Sequence, residues 1–249
     1  RREVVVTPDK PIRRLSCYLL FRNHAGRARF KDPRFGEMKA DGVLRFDGVV
    51  TEQVAASERG FLLRDVARES GFVSLAREAL GVRLNARERR GAGVTFYEVS
   101  LENLTGQDRA LTLVYTVPQP PGALTWLHHP RRAIELSNAK SEVMNTTRHP
   151  VGANGQLSRY PFGAVAAGGA GCAVGIDPAT PLFFRTGCQP QTRELFLACD
   201  IGLAREKPTA KFRFCVFDFE AGGAFRGALA RYYGIYPEAF ATRLRDQGV

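Results

Sequence analysis

Apolar and polar residues alternate with a period of two in short runs separated by turn formers, the pattern of half-buried strands. From Val94 to Leu101, Thr95, Tyr97, Val99 and Leu101 fall on one face and Val94, Phe96, Glu98 and Ser100 on the other. Leu111 to Val117 repeats the idea. Between them, Asn103-Leu104-Thr105-Gly106-Gln107-Asp108 supplies the Asn, Gly and Asp that a reversal prefers, so the two runs read as a hairpin. Further strands are expected at Ala173 to Ile176, Leu182 to Arg185, Glu194 to Cys199 and Lys211 to Phe219, punctuated by Asp177-Pro178, Gly187 and Lys207-Pro208. In the last run Phe212, Phe214 and Val216 share one face while Cys215, Phe217 and Phe219 share the other, which predicts a central strand covered on both sides. Val4 to Val6, Cys17 to Phe21 and Val43 to Val50 carry weaker versions of the pattern.

Two stretches depart from it. Phe225, Ala228, Leu229, Tyr232 and Tyr236 follow helical spacing, Pro237 closes the segment, and Phe240 and Leu244 continue it as a second short helix. Asp65 to Leu80 admits a helix through Val66, Leu75, Ala79 and Leu80, although Gly71 stands in its middle. Many strands with few helices predict a mainly β chain, an antiparallel β-supersandwich with a C-terminal helix. Residues 1–222 would form the sandwich and 223–249 the helical segment. Pro118-Gln119-Pro120-Pro121-Gly122 reads as a stiff connector inside that unit.

Composition narrows the class. A chain of 249 residues, 44% hydrophobic, is long enough to bury one extensive core. Charges and turn residues break every apolar run short of the roughly 18 to 20 residues a membrane-spanning helix needs, so membrane insertion is not expected. The sequence opens Arg1-Arg2-Glu3 with no apolar signal core. It is therefore expected to be a piece of a longer protein, any signal for export would lie upstream, and the compartment stays open. The cysteines, Cys17, Cys172, Cys188, Cys199 and Cys215, show no CxxC pair and are expected as small buried hydrophobes. Asn103-Leu104-Thr105 and Asn145-Thr146-Thr147 match the glycosylation acceptor pattern, which matters only in a secreted eukaryotic context.

Charge adds less than its size suggests. The net charge is +11, carried mostly by Arg, with local density at Arg83 to Arg90 and at Arg131-Arg132. Nucleic-acid binding would need these gathered on one face within a recognisable module, and no module signature occurs. The reading is Arg-rich composition with at most a local surface for acidic glycans.

The sequence contains no P-loop, no HExxH and no nucleophile elbow, and Gly168-Gly169-Ala170-Gly171 reads as a turn between strands rather than a dinucleotide fingerprint. No cofactor is expected. Trp126 with His128-His129-Pro130-Arg131-Arg132 is the densest polar and aromatic cluster. Adjacent histidines on a strand point to opposite faces, so a shared metal is not expected. Trp126, His128 and Arg131 presented together would instead suit a sugar or an anion, since aromatic faces and planar donors recognise both. Arg159 and Tyr160 follow the Asn154-Gly155 turn in a combination that periodicity does not explain, and they join this candidate ligand-binding set. Asp177, Asp200 and Asp218 are the carboxylates a glycosidase pair could draw on, although a turn role is expected for Asp177 and a strand end at Asp200.

Four stretches together carry a resemblance. They are Ser158 to Val165, Gly175-Ile176-Asp177-Pro178 followed by Pro181 to Arg185, Glu194 to Leu203, and Phe225 to Tyr233 with Tyr236-Pro237-Glu238-Ala239-Phe240. The chain resembles β-rich accessory domains of large bacterial proteins related to glycoside hydrolases. The resemblance covers roughly the C-terminal 100 residues well and the rest loosely. It implies a galactose-mutarotase-type supersandwich preceding a catalytic barrel, with the terminal helix leading toward that barrel. The partners it implies are carbohydrate and a downstream catalytic domain of the same polypeptide, with the catalytic carboxylates beyond Val249. No family catalytic residue transfers to this chain.

The expected function is therefore a non-catalytic or active-site-supporting β-sandwich domain of a carbohydrate-active enzyme. One alternative is a stand-alone sugar epimerase or lyase, in which His128, His129 or His149, with Glu135 as carboxylate partner, does acid-base work and Arg159 binds an anion. Another is a binding module for acidic polysaccharide.

Overall fold

In the computed structural model, which describes residues 44–51 and 60–241 apart from 140 and 150, with isolated positions between 26 and 34, the chain is a mainly β, antiparallel sandwich with a C-terminal helix. The strand candidates at 4–6 and 17–21, with Cys17 and Leu244, lie outside the described residues.

The strands are β1 (Arg45–Phe46), β2 (Val49–Val50), β3 (Phe61–Asp65), β4 (Val73–Ser74), β5 (Glu78–Ala79), β6 (Val82–Gly91), β7 (Val94–Asn103), β8 (Arg109–Pro118) and β9 (Thr125–His129). They continue with β10 (Arg132–Glu135), β11 (Val143–Met144), β12 (Thr146–Arg148), β13 (Gln156–Ser158), β14 (Phe162–Ala167), β15 (Ala170–Ile176), β16 (Phe183–Gln189), β17 (Glu194–Leu203) and β18 (Thr209–Glu220). Helices α1 (Ala224–Ile235) and α2 (Pro237–Phe240) follow. One sheet has eight strands in the order β10-β9-β14-β15-β18-β7-β6-β5 and the other six in the order β11-β16-β17-β8-β3-β4. Two small hairpins, β1-β2 and β12-β13, stand apart from both sheets.

The main core lies between the sheets, where Leu63, Leu113, Leu197, Ile201 and Cys199 from one meet Val99, Leu101, Val174, Phe212 and Phe214 from the other. Tyr115 donates a hydrogen bond to Tyr97 across this space at 2.7 Å. Strand β18 is central and covered on both sides as its sequence predicts: Phe212 and Phe214 face the core, while Cys215, Phe217 and Phe219 face outward under α1. Gly168 and Gly169 make the turn between β14 and β15. The Pro118 to Gly122 connector carries the chain from the six-stranded sheet to the eight-stranded one.

Four expectations are corrected. The runs around Val94 to Leu101 and Leu111 to Val117 are strands but not a hairpin, because β7 belongs to the eight-stranded sheet and β8 to the six-stranded one. Asn103 accepts from the Thr105 N–H at 3.1 Å and donates to the Gln107 carbonyl at 2.6 Å, so the loop is a true reversal that crosses between layers. The segment from Asp65 to Leu80 is not helical. The Phe72 N–H donates to the Val50 carbonyl, a side chain at Gly71 would meet that same oxygen at 2.9 Å, and Glu69 and Leu80 take positive φ. Asp200 does not end its strand, since β17 runs on to Leu203 in register with β8. Likewise Gly187 lies inside β16, where a Cβ would strike the Phe196 ring at 2.5 Å.

Candidate functional site

The outer face of the eight-stranded sheet is divided between two occupants. Over β14, β15 and one end of β18 lies α1, whose Phe225, Ala228 and Tyr232 are buried against Phe162, Ala173 and Phe217. The Tyr232 hydroxyl donates to the Ile176 carbonyl at 2.6 Å, and Gly175 lets the ring approach so closely that a Cβ there would lie 2.8 Å from it. Tyr236, edge-on to Phe96 at 6.3 Å, marks where the helical cover stops.

Beyond it, β6, β7 and β18 carry outward side chains of a different kind. Antiparallel register aligns Lys211 with Ser100 and Ser100 with Asn85 in one row across the sheet. The next row aligns Arg213 with Glu98 and Glu98 with Arg87. These residues line an open groove of about 490 Å³. One wall is the turn after β15, where the Asp177 carboxylate accepts from the Ala179 N–H at 2.8 Å and fixes the loop that presents Thr180. Asp177 is thus the turn former its sequence suggests, and it holds Arg213 at 2.9 Å. Toward the helix, the Arg89 guanidinium lies 4.5 Å from the centre of the Phe96 ring.

Strand β6 forms much of the rim of the sheet here. Its pairing with β5 involves only Val82 and Arg83, and residues 85–91 are exposed. The groove is therefore shallow, runs across three strands and is lined by donors and acceptors, the form suited to an extended polar ligand rather than a small buried one. Alternation places Glu98 and Ser100 on the polar face of their run. The same reading applied to β6 and β18 would have found Asn85, Arg87, Lys211 and Arg213 beside them.

The residues singled out from sequence are distributed differently. Trp126 is 0% exposed and belongs to the main core, its indole N–H donating to His128 Nδ1 at 3.3 Å, so both ring faces are covered by protein. Asn145 links part of the set: its side-chain amide donates to the His128 carbonyl, and its backbone carbonyl accepts from the Arg159 backbone N–H at 3.0 Å. The Arg159 side chain turns to the Thr146 carbonyl at 3.0 Å. Tyr160 packs edge-on against Phe225 at 4.7 Å, beneath the helix. Arg131 is exposed on the turn of the β9-β10 hairpin. Glu135 pairs with Thr125 at the far end of that hairpin from His128 and His129, so the structure does not bring this acid and these bases together. Asn103 and Asn145, the two glycosylation-pattern asparagines, are both buried.

The outer face of the other sheet holds a buried charge network that sequence reasoning missed. Arg185 is 0% exposed and donates through Nε and Nη2 to the two oxygens of Asp47, each at 2.8 Å. It also donates to Asp200 at 2.6 and 2.7 Å. Burial works against the Asp200 anion, but Arg185, the Ala153 N–H and the Thr112 hydroxyl outweigh it and hold its carboxyl below the usual range. Asp47 and Gly48 form the turn of the β1-β2 hairpin with φ of 54° and 76°. Phe46-Asp47-Gly48-Val49 was its signal, since a type I′ turn favours Asp-Gly between apolar residues. The Gly48 N–H donates to Glu142, whose other oxygen is buried without a partner, and burial pushes that carboxyl up to about 8. Every charge here is turned inward, so the network fastens the hairpin over the sheet and offers nothing to a ligand.

Asp177 and Asp200 each engage an arginine on different sheets, and Asp218 lies by α1 at a separate surface hollow with Arg231. Among the described residues no group of three His, Cys, Asp or Glu is placed to hold a metal ion, and no helix is long and apolar enough to cross a membrane.

Comparison with known proteins adds little. No protein-family model matches the chain, and no curated protein matches it. Among solved structures it is similar to the Slr1438 protein of Synechocystis sp. PCC 6803, with a TM-score of 0.37 and 8% identity, covering 68% of this chain and 64% of that one.

Proposed function

We propose that the chain is an accessory β-sandwich domain of a carbohydrate-active enzyme, one that binds or supports glycan rather than transforming it. The observation that carries this reading is the open groove across β6, β7 and β18, which presents Asn85, Arg87, Glu98, Ser100 and Lys211 from rigid strands. Amide, hydroxyl, carboxylate and cationic groups held on a sheet match the dense hydroxyl pattern of a sugar chain, and the open form lets a polymer pass through. The resemblance of Ser158 to Val165 and of the α1 motif to accessory domains of glycoside-hydrolase relatives supports the same class.

Tyr233 and Phe240 are exposed on the helices with ring centres 4.2 Å apart, and in the same reading they are the surface offered to a downstream catalytic domain. Affinity electrophoresis of the chain through gels containing neutral and acidic polysaccharides tests the binding function. Retardation by at least one glycan is expected, reduced by the double substitution Arg87→Ala/Lys211→Ala. Unaltered mobility in every gel would refute it.

A further inference from the structure

The charges around the groove do not cancel evenly, and the remainder is specific. Arg83 is held by Glu102 at 3.1 Å and Glu78 at 3.6 Å, Arg213 by Asp177 at 2.9 Å, and Arg90 by Glu88 at 2.7 Å. Arg89 lies over Phe96. Among the described residues, Arg87, Lys211 and Glu98 have no ion pair, although register places Glu98 directly opposite both Arg87 and Arg213. The floor therefore carries a carboxylate that is free to accept, with unpaired Arg87 opposite it on one strand and unpaired Lys211 diagonal to it on the other.

Arg87 and Lys211 stand two strands apart and in adjacent rows, a backbone separation of roughly 12 Å from sheet geometry. A single small anion meets one of them and leaves the other unused. A densely charged polymer would meet both but would also press its charge against Glu98, since like charges at short range repel. The arrangement is satisfied by a ligand whose acid groups are spaced apart and separated by hydroxyls that donate to Glu98.

We infer that the groove selects acidic glycans of the uronate type, with Arg87 and Lys211 taking successive carboxylates and Glu98 accepting hydroxyl hydrogen bonds between them. The inference rests on the carbohydrate-binding reading above and deepens it by naming the substrate class. Each cation adds a charged hydrogen bond and should be worth about fivefold to tenfold in affinity.

The test uses the whole chain with polygalacturonate and alginate as uronate polymers, neutral galactan, and polyphosphate as a polyanion without hydroxyls. Isothermal titration at low salt should show a uronate polymer bound more tightly than galactan, with Arg87→Ala and Lys211→Ala each losing about fivefold to tenfold. Glu98→Gln is the decisive variant. It should weaken uronate binding, because an anionic acceptor is lost, and strengthen polyphosphate binding, because a repelling charge is lost. If Glu98→Gln strengthens both, the groove is only a basic surface and the inference fails. Galactan bound as tightly as the uronates would overturn the acid preference while leaving the carbohydrate-binding reading intact. Binding to none of the glycans would overturn both. All three positions are exposed, so thermal unfolding of each variant should match the parent.

Discussion

Arg185 grips Asp47 through two parallel hydrogen bonds of 2.8 Å although 138 residues separate them in sequence. The pair joins the β1-β2 turn to strand β16 of the six-stranded sheet, and Asp200 completes it from the neighbouring strand. Removing one member of a buried charged set leaves the others without compensation, a loss of about 3 to 5 kcal/mol. Arg185→Ala should therefore lower unfolding free energy in urea by that amount. Replacing the charges together, as Asp47→Asn/Arg185→Met/Asp200→Asn, should be milder than Arg185→Ala alone. A single variant within about 1 kcal/mol of the parent would contradict the network's assigned role.

Glu142 makes the same region sensitive to alkali. Its carboxyl is raised to about 8 by burial, reinforced by the nearby Asp47 charge, so the folded state favours the protonated form. The stability linked to that proton is fully present below the ordinary carboxylate range and is lost as pH rises through about 8. Urea denaturation should show the parent weakening between pH 6 and pH 9, by roughly a few kcal/mol, while Glu142→Gln holds nearly level. Equal slopes for the two proteins would count against this linkage.

The contact between α1 and its sheet depends on two small features. Tyr232→Phe removes the hydroxyl that donates to the Ile176 carbonyl and should cost about 1 kcal/mol. Gly175→Ala should cost more, since its new methyl would lie 2.8 Å from the buried Tyr232 ring and 3.2 Å from the Phe162 Cβ. Thermal unfolding checks both, and Gly175→Ala matching the parent would contradict the close packing described.

Alternation made the strands legible because half-burial leaves a local trace at every second residue. The double apolar pattern of β18 announced a covered central strand, and the spacing of Phe225, Ala228 and Tyr232 announced the helix. Which sheet a strand joins leaves no such trace: the turn chemistry of Asn103 to Asp108 serves a crossing between layers as well as a hairpin. Arg185 closes the strand expected from Leu182, and its burial depends on partners at positions 47 and 200 that no local window contains. Trp126 looked like a ligand platform among polar neighbours, yet the two sheets close over it. The groove was missed for the opposite reason. Its residues lie on three strands whose polar faces are unremarkable singly and gain meaning only when register sets Lys211, Ser100 and Asn85 side by side.

Trp126, the single tryptophan, reports on this distinction directly. Its emission should be blue-shifted and resistant to iodide quenching, and it should stay unchanged when glycan fills the groove, because the ring belongs to the main core. Efficient quenching, or a large change on glycan addition, would return Trp126 to the ligand-binding surface.

The central claim is that glycan lies along the outer face of β6, β7 and β18. Backbone amide chemical-shift mapping during titration with oligogalacturonate tests it most directly. The account predicts perturbations concentrated at residues 85–89, 98–100, 180 and 211–213. Shifts centred instead on His128, Asn145 and Arg159, or the absence of shifts at glycan concentrations that retard the protein in gels, would contradict it.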